Sequence, residues 1–300
     1  MFTAVFHFAI SRVINNIIKG NNMHRLNIVT KDQAKNATLA AHDFLKSYYN
    51  NLHNDSPYIK EIEKQLAQVK SYVEKRLLDK DLEKQFAVTL DIDDTAISHY
   101  PSFLVENFEN SLAQIDQRIR KTDNPAIIPI LDLYQWLNEH KIMVFFISYR
   151  ISHKDNPEKD LYPSTLQNLQ NAGYQITDIS HIYLPTGQDT ALKSDIFKTK
   201  VRKELHEKGY KIIANIGDQP SDLGDYAEVN ILLPNKLYGP DSVLGWKPIL
   251  NHMKNTESIQ VSTSSVVQSD AEKLSKQGIF KPKENRDLAT NALEVRFGKY

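Results

Sequence analysis

Three aspartates and a threonine follow directly after an apolar segment of the sequence, in FAVTLDIDDTAIS (residues 86–98). A buried strand needs no such ending, because carboxylates as close as those of Asp91, Asp93 and Asp94 repel one another unless a cation joins them. Oxygen ligands without a nearby His or Cys favour Mg²⁺, and a carboxylate beside such an ion can attack a phosphoryl group in line. A second carboxylic acid two residues along can protonate the leaving alcohol and then activate water. The segment therefore predicts a phosphoryl-transfer site with one aspartate as the nucleophile.

Polar residues also follow other apolar segments of the chain. Ser148 ends KIMVFFIS, and Asp218 ends KIIANIGD with Asp222 one helical turn further on. Lys198 lies on the helical segment before KIIANIGD. Each of these residues alone has an ordinary explanation, as a helix cap, a surface lysine or acidic residues at a helix N-terminus. Ligands of an open parallel sheet, however, bind outside the carboxyl ends of its strands. Order and position together therefore predict one crevice, where a hydroxyl and an ammonium can hold phosphoryl oxygens.

Short β-rich apolar segments alternate with helical ones over most of the chain. Residues 31–80 are predicted to be helical, with a turn at NDSP, because apolar residues recur three and four apart. The predicted strands are QFAVTLDID, KIMVFFIS, HIYLP, KIIANIGD and VNILLP, and between them lie the predicted helices PAIIPILDLYQWLNEH, YPSTLQNLQNAG and DIFKTKVRKELHEKG. Gly173 and Gly209 stand where helices would end. This alternation predicts an α/β fold with a parallel sheet flanked by helices.

Composition excludes several classes of function. The chain of 300 residues has 37 Lys and Arg against 37 Asp and Glu, which argues against broad nucleic-acid binding because that needs an excess of positive charge. The absence of cysteine excludes disulfides, thiolate nucleophiles and Cys-ligated zinc. The histidines are scattered and do not cluster at metal-ligand spacing. No apolar run reaches the ~18 residues of a transmembrane helix.

Residues 1–30 form an apolar, amphipathic segment. Apolar residues recur at helical spacing in MFTAVFHFAISRVINNIIKG, but positive charge follows the apolar run at Arg12, and no small-residue cleavage site is clear. An amphipathic docking helix, or a chain that begins at Met23 rather than Met1, is therefore favoured over a secretory signal. We accordingly expect a cytoplasmic protein, or one exported without a clear signal peptide, with a secreted or periplasmic location as the alternative.

The motifs resemble those of the haloacid dehalogenase (HAD) superfamily. Within it the chain resembles the acid phosphatase subfamily of plant acid phosphatases, vegetative storage proteins and bacterial class C acid phosphatases. FKTKVRKELHEKGYKIIANIGDQPSDL is similar to that subfamily's lysine-to-aspartate segment, ILLPNKLYG to the stretch that follows it, and NLQNAGY to the segment before the lysine. The resemblance runs from about Ser56 to Tyr238. It implies a HAD-like Rossmannoid fold with a small helical cap, formed by the N-terminal helices and by an insertion after the first motif.

The resemblance and the patterning together predict the domain organisation. Residues 31–254 are expected to form the HAD-like acid phosphatase domain, with its core at about 84–240 and helical cap elements at 31–80 and 96–124. Residues 255–300 are polar and rich in Ser and Thr, and we expect them to form a flexible or weakly helical tail without strands.

The resemblance implies a role for each catalytic residue. Asp91 would be the nucleophile and Asp93 the general acid and base. Thr95 would orient Asp93, and Ser148 would bind a phosphoryl oxygen. Lys198 would neutralise the phosphorylated enzyme.

A second lysine, Lys193 in ALKSD, is an alternative candidate for neutralising the phosphorylated enzyme. Lys198 is preferred because it stands twenty residues before Asp218, which is the spacing that the resemblance implies.

The resemblance also implies a Mg²⁺ site. Asp91, the backbone carbonyl of Asp93 and Asp218 would ligate the ion. Asp222 would lie with them and support Lys198 or the water bound to the metal.

The chain departs from the plant proteins at four positions near these motifs. His99 stands where they usually have Asn, and Asp94 where they have Glu. Tyr149 replaces a usual Gly, and Pro220 replaces a common Trp. None of these changes removes a catalytic group, but all bear on how a substrate fits.

The implied function is a Mg²⁺-dependent phosphomonoesterase that hydrolyses small phosphate monoesters, with nucleotides as candidates, through an aspartyl-phosphate. The same residues would serve a phosphotransferase that hands the phosphoryl group to another alcohol. A non-catalytic storage or interaction protein on the same fold is the third interpretation, and the presence of Asp91 disfavours it. The aromatic stretch SHYPSFLVENF either stacks a substrate ring or packs in the core. The sequence leaves the oligomeric state open.

Overall fold

The computed structural model of the protein describes residues 27–78, 85–176, 179–244 and 258–261. The chain divides into two compact units. Residues 48–235 make up the larger unit, and the described part of the smaller unit comprises residues 27–47, 236–244 and 258–261. Most of the predicted N-terminal segment, residues 1–30, and of the predicted tail, residues 255–300, lies outside the described residues.

Five strands form one parallel sheet in the larger unit. In chain order, the strands of the described residues are β1 (Asn27–Thr30), β2 (Gln85–Leu90), β3 (Met143–Ile147), β4 (Ile182–Tyr183), β5 (Tyr210–Gly217), β6 (Ala227–Leu232) and β7 (Ser258–Val261). The sheet has the order β4-β3-β2-β5-β6, and every neighbouring pair is parallel. β2 therefore lies in the middle, and its last four residues are buried, as expected for an apolar strand covered on both faces. The predicted α/β fold with a parallel sheet is confirmed.

Helices precede, connect and flank these strands. In chain order, the α-helices of the described residues are α1 (Lys31–Tyr49), α2 (Pro57–Leu78), α3 (Tyr100–Val105), α4 (Leu112–Arg120), α5 (Ile128–Glu139), α6 (Tyr162–Asn171) and α7 (Ser194–Glu207). Gly173 and Gly209 follow α6 and α7 with φ of 101° and 94°, the left-handed conformation in which glycine commonly ends a helix. Over the part of the chain that the structure describes, no helix combines the length and apolarity needed to cross a bilayer.

Helix α7 packs on the sheet through a stripe of apolar residues. Phe197, Val201 and Leu205 recur four residues apart, and they share a cluster with buried residues of β2, β3 and β5, namely Ala87, Phe145, Ile147 and Ile212. Residues four apart lie on one face of a helix. Lys198 and Arg202 each follow a member of the stripe by one position, and both are buried as well. The packing of α7 therefore decides where these two charged side chains lie.

The insertion after the first motif carries α3 and α4, and its aromatic residues are buried. Tyr100, Phe103 and Phe108 are each 1% exposed. Tyr100 stacks on Tyr49 with ring centroids 4.6 Å apart, and the guanidinium of Arg118 lies 3.9 Å from the ring centroid of Phe103. Of the two roles predicted for SHYPSFLVENF, the structure therefore shows core packing for these three rings.

The smaller unit contains a two-stranded antiparallel sheet of β1 and β7. Asn27 lies opposite Val261, and Thr30 opposite Ser258. β7 falls within residues 255–300, which the sequence predicts to be a tail without strands, so the structure corrects that prediction at these four residues. Its partner strand lies at the other end of the described chain, and strand formation depends strongly on such neighbours. Local composition does not reveal them.

Candidate active site

Three neighbouring strands end in the polar residues that the sequence singles out. Asp91 directly follows β2, Ser148 follows β3, and Asp218 follows β5. Because the strands are parallel and β2 lies between the other two, their carboxyl ends meet at one edge of the sheet. Lys198 reaches this edge from α7, and Asp222 reaches it from a short 3₁₀ turn after β5. The structure thus brings together the residues that the sequence placed in one crevice.

Lys198 joins the predicted nucleophile to Asp222. Its Nζ lies 2.5 Å from Asp91 Oδ1 and 2.5 Å from Asp222 Oδ1, and all three side chains are buried. Burial works against the ammonium form, but the carboxylates of Asp91 and Asp222 outweigh it and raise the pKa of Lys198 above its ordinary value. Lys193, the competing lysine, is exposed. The lysine that contacts the aspartates is therefore Lys198.

Asp91, Asp218 and Asp222 form a buried acidic cluster. Each offers one carboxylate oxygen, and the three oxygens lie within 4.8 Å of one another. Burial, followed by the charge of Asp222, raises the pKa of Asp91 well above its ordinary value, against the opposing effect of Lys198. The same two causes raise the pKa of Asp218 to about 7. Since the charge of Lys198 balances at most one of the three carboxylates, the cluster fits a divalent cation with oxygen ligands.

Both carboxylate oxygens of Asp218 accept hydrogen bonds from neighbouring side chains. Thr95 Oγ1 donates to Oδ1 at 3.2 Å. Gln219 Nε2 and Asn235 Nδ2 donate to Oδ2 at 2.6 Å and 2.7 Å. Partners of this kind orient a carboxylate that ligates a metal.

Asp222 lies directly against the end of β5. A Cβ atom at Gly217 would be 2.2 Å from the side chain of Asp222, so no other residue fits at position 217 without moving the aspartate. The backbone N–H of Gln219 donates to Asp222 Oδ2 at 2.8 Å. Because Lys198 holds Oδ1, both oxygens of this carboxylate have a partner.

The side chain of Asp93 faces a different set of groups. Arg150 donates from Nη2 to Oδ1 at 2.7 Å and from Nε to both oxygens at 3.1 Å. Ser148 Oγ donates to Oδ2 at 3.3 Å, and His99 Nε2 lies 3.2 Å from Oδ1. Burial opposes ionisation, but the charge of Arg150, and after it that of His99, holds the pKa of Asp93 well below its ordinary range. The side chain of Asp93 is 24% exposed, against 7% for Asp91, so it is the more open of the two to solvent.

Thr95 does not make the contact that the resemblance implied. Its hydroxyl donates to Asp218, whereas the prediction was that it orients Asp93. Thr95 is fully buried and faces the end of β5. The threonine therefore holds a predicted metal ligand, and Arg150 and Ser148 are the groups that donate hydrogen bonds to Asp93.

Arg150 and Asn235 belong to the site although the motifs predict no role for them. Arg150 is 3% exposed and Asn235 is 1% exposed, and each contacts an aspartate of the site. A signal was present for both. Arg150 stands two residues after Ser148 at the end of β3, and Asn235 lies in ILLPNKLYG, a stretch that the family resemblance covers.

The departures from the plant proteins have different structural consequences. His99 lies between two carboxylates, with Nδ1 3.5 Å from Asp94 Oδ2 and Nε2 facing Asp93. Asp94 has a φ of 51° and accepts a hydrogen bond from the backbone N–H of His99 at 2.8 Å. Tyr149 packs against the hydrophobic cluster of α7, and Pro220 opens the 3₁₀ turn that carries Asp222. Of these side chains, that of His99 lies against the predicted acid–base residue.

The site and the fold can be compared with known proteins. The family model described as HAD superfamily, subfamily IIIB (Acid phosphatase), matches residues 15–241. The match begins well before Ser56, where the resemblance of the motifs begins, so it includes α1.

Vegetative storage protein 2 of Arabidopsis thaliana is 33% identical over 163 residues, which cover 49% of this chain and 54% of that protein. Acid phosphatase 1 of Solanum lycopersicum is 27% identical over 155 residues, which cover 49% of this chain and 56% of that protein. The chain thus spans about half the length of the curated relatives that it matches.

A solved structure of the class C acid phosphatase from Bacillus anthracis with tungstate bound is 18% identical in sequence. It aligns over 84% of this chain and 98% of that chain with a TM-score of 0.51. This similarity shows a shared fold.

Proposed function

The chain belongs to the HAD superfamily, subfamily IIIB (acid phosphatase), and from this premise we propose that it is a Mg²⁺-dependent phosphomonoesterase that acts through an aspartyl-phosphate. One observation carries the proposal. The buried carboxylate of Asp91 shares Lys198 with Asp222, while Asp93, two residues further on, is paired with Arg150 and open to solvent. Two carboxylates in such different environments can divide the roles of nucleophile and acid–base catalyst.

Asp91, Asp218 and Asp222 would hold the cation, with the backbone carbonyl of Asp93 as a further ligand. The excess of negative charge in the cluster supports this, as does the hydrogen bond by which Thr95 orients Asp218. An all-oxygen set of ligands favours Mg²⁺ over softer metals. When bound, the ion supplies positive charge that attracts the phosphoryl group and offsets the charge of the transition state.

In the proposed first step, a carboxylate oxygen of Asp91 attacks the phosphorus of a bound monoester. The bond from phosphorus to the ester oxygen breaks as the bond to Asp91 forms. Asp93 in its acid form gives its proton to the leaving alcohol oxygen. Lys198 and Ser148 hold the non-bridging oxygens of the phosphoryl group, where negative charge accumulates.

In the second step, Asp93 is a carboxylate and removes a proton from a water molecule. The water oxygen attacks phosphorus, the bond between phosphorus and the oxygen of Asp91 breaks, and inorganic phosphate leaves. Arg150 supports this step because it orients Asp93 and holds it in the carboxylate form that accepts the proton.

Small phosphate monoesters, nucleotides among them, are the proposed substrates. Transfer of the phosphoryl group from Asp91 to an alcohol other than water would use the same residues, and product analysis in the presence of glycerol separates the two reactions. The similarity to vegetative storage protein 2 makes a non-catalytic storage role the second candidate. That role requires no nucleophile, and the chain has Asp91 at the end of β2.

Hydrolysis of p-nitrophenyl phosphate by the purified chain, with Mg²⁺ and with EDTA, tests the proposal. We expect turnover that needs Mg²⁺ and that Asp91→Asn abolishes. Asp123→Asn is the matched control, because Asp123 is an exposed aspartate of the same unit, and it should keep its activity. A folded, Mg²⁺-loaded chain that turns over neither this substrate nor a panel of nucleotides and sugar phosphates would contradict the proposal.

A further inference from the structure

Arg202 is a buried arginine that the proposed mechanism does not use. It lies on α7, one helical turn after Lys198, and is 1% exposed. Burying a guanidinium is unfavourable unless hydrogen bonds satisfy it. Its hydrogen-bond partners therefore indicate what this arginine does in the fold.

The guanidinium of Arg202 holds two successive carbonyl oxygens of the loop after β5. Nη1 donates to the carbonyl of Asp222 and Nη2 to that of Leu223, both at 3.1 Å. Nη2 also donates to Thr199 Oγ1 at 2.9 Å. The planar fork of an arginine suits such paired acceptors, whereas a lysine offers one flexible ammonium. Gly224 leaves room for the fork, since a Cβ atom there would be 3.2 Å from Nη2.

Helix α7 therefore holds Asp222 through both its side chain and its backbone. Lys198 contacts the carboxylate at 2.5 Å, and Arg202 contacts the backbone carbonyl at 3.1 Å. Lys198 and Arg202 are four residues apart, so both reach the loop from one face of the helix. The position of the carboxylate is fixed through the backbone as well as through its own oxygens.

Asn230 on β6 holds the next residue of the same loop, Gly224. Its Oδ1 accepts from the backbone N–H of Gly224 at 2.9 Å, and its Nδ2 donates to the carbonyl of Gly224 at 3.1 Å. Asn215 donates to Asn230 Oδ1 at 3.0 Å and accepts from Thr89 at 2.6 Å. A line of polar side chains thus crosses β2, β5 and β6 and ends on the loop.

We propose that Arg202, with Asn230 on the adjacent residue of the loop, is a positioning residue for the cation site. By holding the backbone of the loop, Arg202 keeps the carboxylate of Asp222 at the separation from Asp91 and Asp218 that one cation can bridge. The inference rests on the proposed function, since it takes the acidic cluster to be the Mg²⁺ site.

The test is a titration of the full chain with Mg²⁺. At each Mg²⁺ concentration the midpoint temperature of thermal unfolding is measured, and this measurement needs no substrate. Arg202→Lys keeps the positive charge and removes the fork. Arg118→Lys is the matched control, because Arg118 is 2% exposed and bonds Glu106 and Asn110 in the insertion. Both variants are expected to be less stable without Mg²⁺, so the loss of stability alone does not separate them.

We expect the half-saturating Mg²⁺ concentration to rise about tenfold or more in Arg202→Lys, as is typical when a partner of a metal ligand is lost. It should stay within about twofold of the original value in Arg118→Lys. Saturating Mg²⁺ should restore most of the turnover of p-nitrophenyl phosphate by Arg202→Lys, because its catalytic groups are intact.

If the half-saturating Mg²⁺ concentration is unchanged in Arg202→Lys, the inference is wrong, but the proposed function is unaffected. A failure of Mg²⁺ to stabilise the original chain would contradict the proposed function itself. Should Arg202→Lys not fold, Asn230→Ala releases the same loop from β6. It should raise the half-saturating concentration in the same way, and an unchanged value there would equally overturn the inference.

Discussion

Asp91 and Asp93 are two residues apart in the sequence, yet their surroundings drive their pKa values in opposite directions. Asp91 is buried beside Asp218 and Asp222, and its pKa is raised well above its ordinary value. Asp93 is paired with the guanidinium of Arg150, and its pKa is lowered. The direction of the side chain out of the loop after β2, rather than its place in the sequence, decides which charges each carboxylate meets.

The difference defines two regions of the site. The acidic cluster has more carboxylates than Lys198 can balance, so it fits a cation. The pocket of Asp93 already contains its counter-charge in Arg150 and remains open to water. A nucleophile beside a metal and an acid–base catalyst in contact with solvent are the parts that a two-step phosphoryl transfer requires. Experiments that change one region should leave the other largely as it is.

Removal of Lys198 should have the largest effect on the acidic cluster. Lys198→Met leaves three buried carboxylates without this ammonium, and we expect the free energy of unfolding without Mg²⁺ to fall by about 3–5 kcal/mol. Saturating Mg²⁺ should restore part of the loss. Urea unfolding with and without Mg²⁺ measures both quantities. Lys193→Met is the control at an exposed lysine and should change the free energy by less than about 0.5 kcal/mol. If Lys198→Met lowers the free energy of unfolding by the same amount with and without Mg²⁺, the cluster does not have an excess of negative charge that Mg²⁺ compensates.

Removal of Arg150 should have a smaller effect, because water can reach Asp93. For Arg150→Met we expect the free energy of unfolding to fall by about 2 kcal/mol, as for the loss of hydrogen bonds to a charged group. The pKa of Asp93 should rise, so its acid form should persist to higher pH and shift the pH profile of kcat/KM for an alkyl phosphate in that direction.

Arg120→Met removes an ion pair with Asp116 that is largely exposed, and it serves as the control for Arg150→Met. It should leave the pH profile unchanged and alter stability by less than about 1 kcal/mol. If Arg150→Met leaves the pH profile of kcat/KM unchanged, then Arg150 does not set the pKa of Asp93.

The two regions should also give opposite slopes of stability against pH in the metal-free protein. The folded-state pKa of Asp218 is about 7, above its ordinary value of 3.8, so its stabilising contribution is present at acid pH and is lost as the pH rises through about 7. The pKa of Asp93 is below its ordinary value, so its contribution is present at neutral pH and is lost as the pH falls below about 4.

Urea unfolding of the metal-free protein at a series of pH values checks these slopes. Between about pH 6 and pH 8 we expect the free energy of unfolding to fall by about 1 kcal/mol. Asp218→Asn, or saturating Mg²⁺, should make this slope shallower and leave the acid slope in place. Stability that increases over the same interval would be the wrong sign for a raised pKa at Asp218.

Thr95→Val should have the smallest effect and separates two roles for this residue. Loss of its hydrogen bond to Asp218 should cost about 1 kcal/mol and raise the half-saturating Mg²⁺ concentration a few-fold. The pH profile that reports on Asp93 should not move. A shift of that profile with unchanged Mg²⁺ binding would favour the role of orienting Asp93 that the resemblance implied.

The fold and the meeting of the main site residues could be predicted from the sequence because both depend on periodicity. The apolar run before Asp91 fixes the end of β2. Phe197 and Val201 mark the face of α7 that packs on the sheet, and Lys198 is next to Phe197, so it is buried with them. Lys193 lies before the helix begins. Sheet topology then brings the ends of parallel strands together.

The partners of individual side chains could not be predicted in the same way. Asp94 adopts a φ of 51°, so the chain after Asp93 turns, and Thr95 points to the end of β5 instead of back to Asp93. The pairing of Arg150 with Asp93 likewise depends on the path of two loops. The sheet of β1 and β7 joins segments from opposite ends of the described chain, which no local pattern relates.

Trapping the phosphoryl group on Asp91 tests the proposed division of roles most directly. In Asp93→Asn the nucleophile is intact, and p-nitrophenolate leaves without being protonated, but water is no longer activated. Rapid mixing with p-nitrophenyl phosphate and Mg²⁺, followed by acid quench and mass spectrometry of peptides, measures the intermediate. We predict a stoichiometric burst of p-nitrophenolate and a phosphoryl group on the peptide that contains Asp91. A burst-free reaction without a phosphorylated peptide, or a phosphoryl group on another residue, would contradict Asp91 as the nucleophile.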